Sequence, residues 1–248
     1  MPDGVRILFE DSDIIVCFKP AGLAVESARL GSMDLVSALK IYLREKEPDQ
    51  GVPYLGVVHR LDQPVQGLIV FARNPAAAAD LSRQAAGRDM KKVYRALVYV
   101  RDPEHTSAKG ILEDMLWRNG KTNMSEVVRG KVPGAKRAVL AYELLERRTI
   151  GSSAAAEGSG AEMKPAGYSE IALAQITLQT GRHHQIRVQM ANAGMPLSGD
   201  RKYGISENDG RRNPALCAFH LEFDHPSEKR RCVFHLDEDN YCMDHFQE

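Results

Sequence analysis

Long apolar runs are missing from this chain. No stretch of ~18 uninterrupted apolar residues occurs, which excludes a helical membrane span. The first residues, Met1-Pro2-Asp3-Gly4-Val5-Arg6, lack the basic start and apolar core of a secretory leader. Cysteine is scarce: Cys17, Cys217, Cys232 and Cys242 show neither a CxxC pair nor zinc-like spacing. Three of them sit among apolar neighbours and read as small buried hydrophobes, so a reducing cytoplasm is the expected compartment. An excess of charge is also absent, since 33 basic residues face 33 acidic ones. That balance argues against a protein that coats nucleic acid indiscriminately. It leaves a nucleic-acid partner open, because the distribution of charge decides more than its sum.

What is present is an ordinary globular composition, 43% hydrophobic and 27% charged over 248 residues. That length supports one large β-rich domain or two small ones, and a sizeable core. The chain reads as a single domain over 1–248. Asp237, Glu238, Asp239, Asp244 and Glu248 make 237–248 an acidic tail, and without them the remainder is basic.

Val5 to Glu10 and Asp13 to Lys19 read as two strands joined by Asp11-Ser12. The second, apolar throughout, is expected to be central and to end at Lys19-Pro20-Ala21-Gly22. Lys19 is then either a solvated strand-end lysine or a lysine at the mouth of a cleft. Leu35, Val36, Leu39, Tyr42 and Leu43 fall at helical spacing over Met33 to Glu47. Ala76 to Ala86 reads as an alanine-rich helix with Arg83 and Arg88 near its end. Lys91 to Val100 reads as a strand, with Tyr94 among basic neighbours. Further strands are expected between Gly110 and Arg148, most clearly at Ala138 to Leu145. The glycine- and serine-rich run over 151–167 reads as a flexible hairpin loop. Tyr168 to Gln179 alternates as a strand. A helix is expected from about Arg182 to Asn192, with Thr180 as N-cap and Gly194 as the stop. On that helix His183 and Arg187 would share a face, and its basic N-terminus would suit phosphate or carboxylate. No HExxH pattern or third ligand accompanies the histidines, so no metal site is expected. A basic, aromatic loop at Pro196 to Gly204 and strands at Ala215 to Phe223 and Arg231 to Leu236 complete the chain.

The stretch that organises the rest runs from Val57 to Arg73. His59-Arg60-Leu61-Asp62-Gln63-Pro64-Val65-Gln66-Gly67 lies between apolar runs, so a polar turn would be held rigid at a sheet edge. That is a suitable place for a catalytic carboxylate. The plain alternative is a surface turn in which Arg60 and Asp62 pair with each other or with water.

Together the segments resemble the RluA-type pseudouridine synthases. His59-Arg60-Leu61-Asp62 followed by Gly67-Leu68-Ile69-Val70-Phe71-Ala72-Arg73 resembles the family's hallmark motif. Asp13 to Gly22 resembles a strand ending in KPxG, and Lys92-Val93-Tyr94-Arg95-Ala96-Leu97-Val98 the tyrosine motif. Thr180 to Val188 resembles GRxHQIRVH, and Pro196-Leu197-Ser198-Gly199-Asp200 with Lys202-Tyr203-Gly204 the segment after it. The likeness covers roughly residues 5 to 236 and is carried by five motifs in order.

The resemblance implies an α+β catalytic fold: a mixed, mostly antiparallel sheet with a few helices around a central cleft. It implies isomerisation of uridine in ribosomal or transfer RNA without cofactor or metal. Asp62 matches the nucleophile, Tyr94 the tyrosine that stacks on the base, and Arg187 the arginine that pairs with the aspartate. Arg60 matches an arginine tied to RNA binding and base flipping, and Leu216 an apolar residue lining the uracil pocket. Lys19, Lys92, Arg182 and His184 are expected on the substrate side, with Lys91, Arg201 and Lys202 adding charge for phosphates. A monomer is expected. The chain begins almost at its first strand, so no S4-type RNA-binding domain is expected in front.

Three departures stand out. Val65-Gln66 replaces the usual Thr-Ser, with Pro64 in the turn, Gln189 replaces a histidine, and Leu216-Cys217-Ala218 stands for LHA. They open a second reading: an RNA-binding or chaperone module that keeps the fold with little turnover. A third, a glycosidase-like hydrolase, would need two strong carboxylates where one is found.

Overall fold

The computed structural model describes residues 1–27, 31–87, 89–150, 167–204 and 211–237. The expected loop over 151–167 lies outside them except for Gly167, as do the acidic tail over 237–248 except for Asp237, and Arg88. In chain order the elements are β1 (Arg6–Glu10), β2 (Ile14–Lys19), α1 (Leu35–Lys46), β3 (Gly56–Val57), β4 (Gln66–Ala72), α2 (Pro75–Gly87) and β5 (Lys91–Val100). They continue with β6 (Lys109–Asn119), β7 (Met124–Val128), β8 (Lys136–Thr149), β9 (Glu170–Leu178), α3 (Gln185–Asn192), β10 (Leu216–Asp224) and β11 (Arg231–His235). The fold is α+β, strand-rich and mostly antiparallel, as the resemblance implies.

Packing divides the chain into two compact units. One takes Met1–Lys92 and Cys217–Tyr241, and the other is built on Val93–Leu216. In the first the strand order is β1-β2-β4-β10, with β3 on β4 and β11 on β10. Only the β4–β10 pair there is parallel among the described pairings. β2 and β4 are central because both faces are apolar: Ile14 to Cys17 and Ile69 to Ala72 are completely buried. α1 begins where Asp34 accepts the Ser37 N–H at 2.8 Å, and it buries Leu35, Ala38, Leu39 and Leu43. α2 starts on Asn74, whose side-chain oxygen accepts the Ala77 N–H. It is tied to β10 by Gln84, which donates to the Asp224 carbonyl and accepts the Asp224 N–H.

In the second unit the order is β5-β9-β8-β6-β7. β6, β8 and β9 are long antiparallel partners, with an irregular register between Leu144 and Glu146 on β8. Leu116 of β6, Ala138 of β8 and Val188 of α3 form a buried cluster, with Val127 and Tyr203 against it.

α3 begins three residues later than its sequence predicts. Thr180 does not cap it: its hydroxyl donates to Gln185 Oε1 and accepts the Val139 N–H. The Arg182 N–H takes the same Gln185 oxygen, so the 180–185 segment closes on its own side chains before the helix starts. The cap residue is His184, in the left-handed region with φ 53°. His183 therefore precedes the helix, and the expected His183–Arg187 helical face does not form. The stop is where expected. Gly194 has φ 78°, its N–H goes to the Ala191 carbonyl and the Met195 N–H to Met190, a Schellman ending.

The register Lys19↔Gly67 places the end of β2 beside the start of β4. Gly67, at φ 129°, is also where β10 comes closest. A Cβ there would lie 2.4 Å from the Ala218 carbonyl oxygen and 2.5 Å from its nitrogen. Gly67→Ala is therefore expected to cost about 2–4 kcal/mol from backbone strain and overpacking together, read by urea unfolding. A loss below about 0.5 kcal/mol would mean that this crossing is not tightly packed.

Candidate functional site

The turn that carries Asp62 is closed by the Val65 N–H donating to the Asp62 carbonyl at 3.0 Å. Leu61 and Val65, buried on either side, fix it in the core, while Asp62 itself is half-buried. The KPxG turn holds this one from the side. Gly22 N–H donates to the Gln63 carbonyl at 2.9 Å, and Gln63 Nε2 donates to the Gly22 carbonyl at 3.0 Å.

Lys19 completes the clasp. It is completely buried, and its ammonium donates to the carbonyls of Pro20 (2.9 Å), Leu23 (2.8 Å) and Gln63 (3.1 Å). An ammonium has three donors, and all three are used on backbone. Lys19 is thus neither solvated nor open to a phosphate, and the substrate-binding role expected of it gives way to a positioning one. Burial pulls its pKa down to about 8 against the opposing pull of the Asp62 carboxylate.

His59 lies on the same loop. Its Nε2 accepts the Val70 N–H at 3.1 Å, so the ring is neutral and carries its proton on Nδ1. That nitrogen is enclosed and has no hydrogen-bond partner. Burial first, and the Lys92 charge second, hold the ring's pKa at about 3. Lys92 is half-buried, and desolvation lowers its pKa as well. Arg60 is exposed and ion-paired with Glu26, so the expected alternative of an Arg60–Asp62 pair is replaced by a different acid.

In the second unit Arg187 is buried on α3 and meets Asp200 in a two-pronged ion pair. Nε donates to Oδ2 and Nη2 to Oδ1, each at 2.7 Å. Asp200 also accepts the backbone N–H groups of Lys202 (2.9 Å) and Tyr203 (3.2 Å). The Tyr203 ring lies under the Arg187 guanidinium, 5.2 Å from its centre. Its hydroxyl accepts the Ser125 N–H at 2.6 Å and shares a 2.7 Å hydrogen bond with His184 Nδ1. His184 stacks on His183 with ring centres 3.7 Å apart. Burial, then the charges of Arg187, His183, Lys202 and Arg118, bring the His184 pKa down to about 3.

The remaining expected residues are spread between the units. Tyr94 is buried on β5, and Leu216 is buried at the start of β10. Arg182 is exposed, with Nε donating to the Arg137 carbonyl. The first unit thus gathers Lys19, His59, Arg60, Asp62 and Lys92, and the second holds Tyr94, Arg182, His184, Arg187 and Leu216. Sequence reasoning gave no role to Asp200, Tyr203 or Gln63. The first two lie inside the recognised Gly199-Asp200…Tyr203-Gly204 segment, which was the available signal. Gln63 acts mainly through its backbone, which no side-chain pattern reveals. Among the described residues no three His, Cys, Asp or Glu side chains converge as metal ligands, and no helix is long and apolar enough to cross a membrane.

The family model described as RNA pseudouridylate synthase matches residues 13–192. An uncharacterized RNA pseudouridine synthase of Aquifex aeolicus is 32% identical over 244 residues, covering 94% of this chain and 69% of the relative. The ribosomal large subunit pseudouridine synthase D of Nitrosomonas europaea is 34% identical over 233 residues, covering 90% of this chain and 58% of the relative. The chain therefore spans about three fifths to two thirds of the curated relatives it matches. Among solved structures, human RNA pseudouridylate synthase domain containing 1 superposes with a TM-score of 0.70, covering 95% of this chain and 84% of the other. At 21% identity that likeness is one of fold.

The two neutral histidines make stability acid-sensitive. His59 and His184 have folded pKa values near 3 against an ordinary 6.5, so the unfolded chain takes up protons first as pH falls. Their contribution is complete above about pH 6.5 and is lost on the way down towards 3, at up to about 1.4 kcal/mol per pH unit for each ring. Urea unfolding between about pH 6 and pH 5 is expected to show this slope, with His184→Gln removing roughly half of the part due to the two rings. An unchanged slope in the variant would contradict a buried neutral His184.

Proposed function

The chain belongs to the RNA pseudouridylate synthase family, and we propose that it isomerises specific uridines of ribosomal or transfer RNA, with Asp62 as nucleophile. The observation that carries this reading is the clasp on the Asp62 turn. Three ammonium bonds and a reciprocal Gln63–Gly22 pair hold a half-buried carboxylate on a rigid support. Such fixation is what attack at a single sugar carbon requires.

The chemistry conserves every atom of the nucleotide. The Asp62 carboxylate bonds to C1′ as the N1–C1′ bond breaks, its electron pair leaving with the uracil. The uracil rotates in place, C5 bonds to C1′ and the Asp62 ester bond breaks. The proton on C5 is then removed and N1 is protonated, so no oxidant, reductant or metal enters. Tyr94 stacks on the base and takes the proton in this reading. Arg187, its guanidinium fixed by Asp200, is the arginine assigned in this reading to keep the nucleophile ionised. Leu216 lines the base pocket. Arg60 meets the RNA where the target leaves its stack, exchanging Glu26 for phosphate. Lys92, Arg182 and His184 lie along the substrate path, and the catalytic chain acts as a monomer in the cytoplasm.

Wild type and Asp62→Asn, incubated with total RNA followed by mapping of modified uridines, test the reading. Wild type is expected to modify discrete positions, and the variant to lose about 10⁴-fold or more in rate while its RNA affinity stays within a few-fold. Equal maps from both proteins would eliminate Asp62 as nucleophile. RNA binding by both without modification by either would favour the RNA-binding module.

Asp200→Asn separates positioning from binding. It leaves the shape but removes the charge opposite Arg187, and is expected to lower kcat by about 10²-fold with KM changed little. A change confined to KM would place Asp200 in RNA binding instead.

A further inference from the structure

We propose that Arg118 and Lys202, held together by Asn123, form a docking point for one backbone phosphate of the RNA substrate. The proposal rests on the uridine-isomerising reading and adds to it Arg118 and Asn123 of the β6–β7 hairpin, which the family motifs do not contain, set against Lys202 of the Asp200 loop.

Asn123 closes that hairpin in the left-handed region, with φ 49°. Its side-chain oxygen accepts from Arg118 Nη2 at 2.9 Å, and its backbone carbonyl accepts from Lys202 Nζ at 2.9 Å. Arg118 is five residues away, and Lys202 seventy-nine residues away in the Asp200 loop. One residue thus orients two cations from separate segments, and both of its acceptors are neutral.

Several other exposed or half-buried cations of the chain meet carboxylates instead. Arg137 forks Glu113, Arg73 lies between Glu10 and Glu47, and Arg231 bridges Glu222 and Asp224. Among the described residues neither Arg118 nor Lys202 forms an ion pair. Asp200 is two positions from Lys202, but its oxygens serve Arg187 and the N–H groups of Lys202 and Tyr203. The positive charge is therefore oriented without being cancelled, and Arg187 and His183 add to the same field at His184.

A phosphodiester supplies what this pair lacks. It carries one negative charge and two non-bridging oxygens, enough to accept from a guanidinium and an ammonium together. The hairpin tip is open to it, since Lys121, Thr122, Asn123 and Lys202 are all exposed. Because Lys202 and Arg187 are linked through the one Asp200 loop, a strand seated at Asn123 is delivered beside the arginine assigned to catalysis.

The test uses the full chain and a fluorescent 20-nucleotide RNA hairpin carrying uridine in its loop, with Kd measured over about 50–300 mM KCl. Arg118→Gln, Lys202→Gln and the double variant are compared with wild type, with thermal unfolding as the check on folding. The double variant is expected to bind about 10-fold more weakly at low salt and to lower the slope of log Kd against log salt by about 0.7–0.9, one phosphate's share. The two single losses should sum to more than the double, because both cations hold the same group. Asn123→Asp, which puts a carboxylate between the cations, should reproduce the double variant without loss of thermal stability. Losses that add would assign the cations to different groups and overturn the shared site. Weaker binding with an unchanged slope would mean a neutral acceptor and would overturn the phosphate. If wild type modifies RNA and none of these variants changes affinity or slope, the docking point fails alone. If wild type neither binds nor modifies RNA, the functional reading falls with it.

Discussion

The first unit depends on one buried cation. Lys19 has no solvent access and no carboxylate hydrogen-bonded to it, and three backbone carbonyls take its protons. Removing an ammonium from water is expensive, and three charge–dipole bonds with the nearby Asp62 carboxylate offset that cost. The balance has a geometric consequence. Two of the carbonyls come from the turn after β2 and the third from the turn after Asp62, so neither turn can move without stripping the cation of an acceptor. The ladder position Lys19↔Gly67 and the backbone contact of Gly67 with Ala218 fix the same point from the sheet side. Asp62 is held by what surrounds its backbone.

Arg187 in the second unit is held by the opposite means, with charge met by charge. A buried pair of this kind is a poor source of stability but a good source of direction, since two parallel bonds fix the plane of the guanidinium. Asp200 adds two backbone N–H groups, and Tyr203 closes the lower face of the arginine. Tyr203 in turn is pinned by Ser125 on β7 and by His184. A neutral His184 matters here, because another positive ring beside Arg187 would repel it.

How much of this was legible depends on whether side chains or backbone did the holding. Strands such as β2 and β5 and the helices α1 and α2 followed from apolar spacing and local caps, because those signals are local. Asp62, Tyr94 and Arg187 stood out through the motifs around them. The environment of Lys19 did not, since its partners are three carbonyls that every residue type possesses. The start of α3 was misplaced for a related reason. Thr180 has the chemistry of an N-cap, but Gln185 reaches back and takes its hydroxyl, a competition between two side chains that spacing cannot rank. Asn123 was silent because its role depends on a lysine seventy-nine residues away.

The departures from the family pattern bear on whether the fold is used for catalysis or only for binding. Along the sequence Gln66 and Cys217 are two separate departures from the pattern the chain resembles. In the sheet they are partners, Cys217↔Gln66, on adjacent parallel strands. Such partners project to the same face of the sheet. Val65, the residue before Gln66, is buried. The Cys217–Gln66 pair follows directly on the Asp62 turn, and the Lys19–Gln63–Gly22 clasp around that turn is complete. Under the proposed function, that retained support is an argument that Asp62 is in use as the nucleophile.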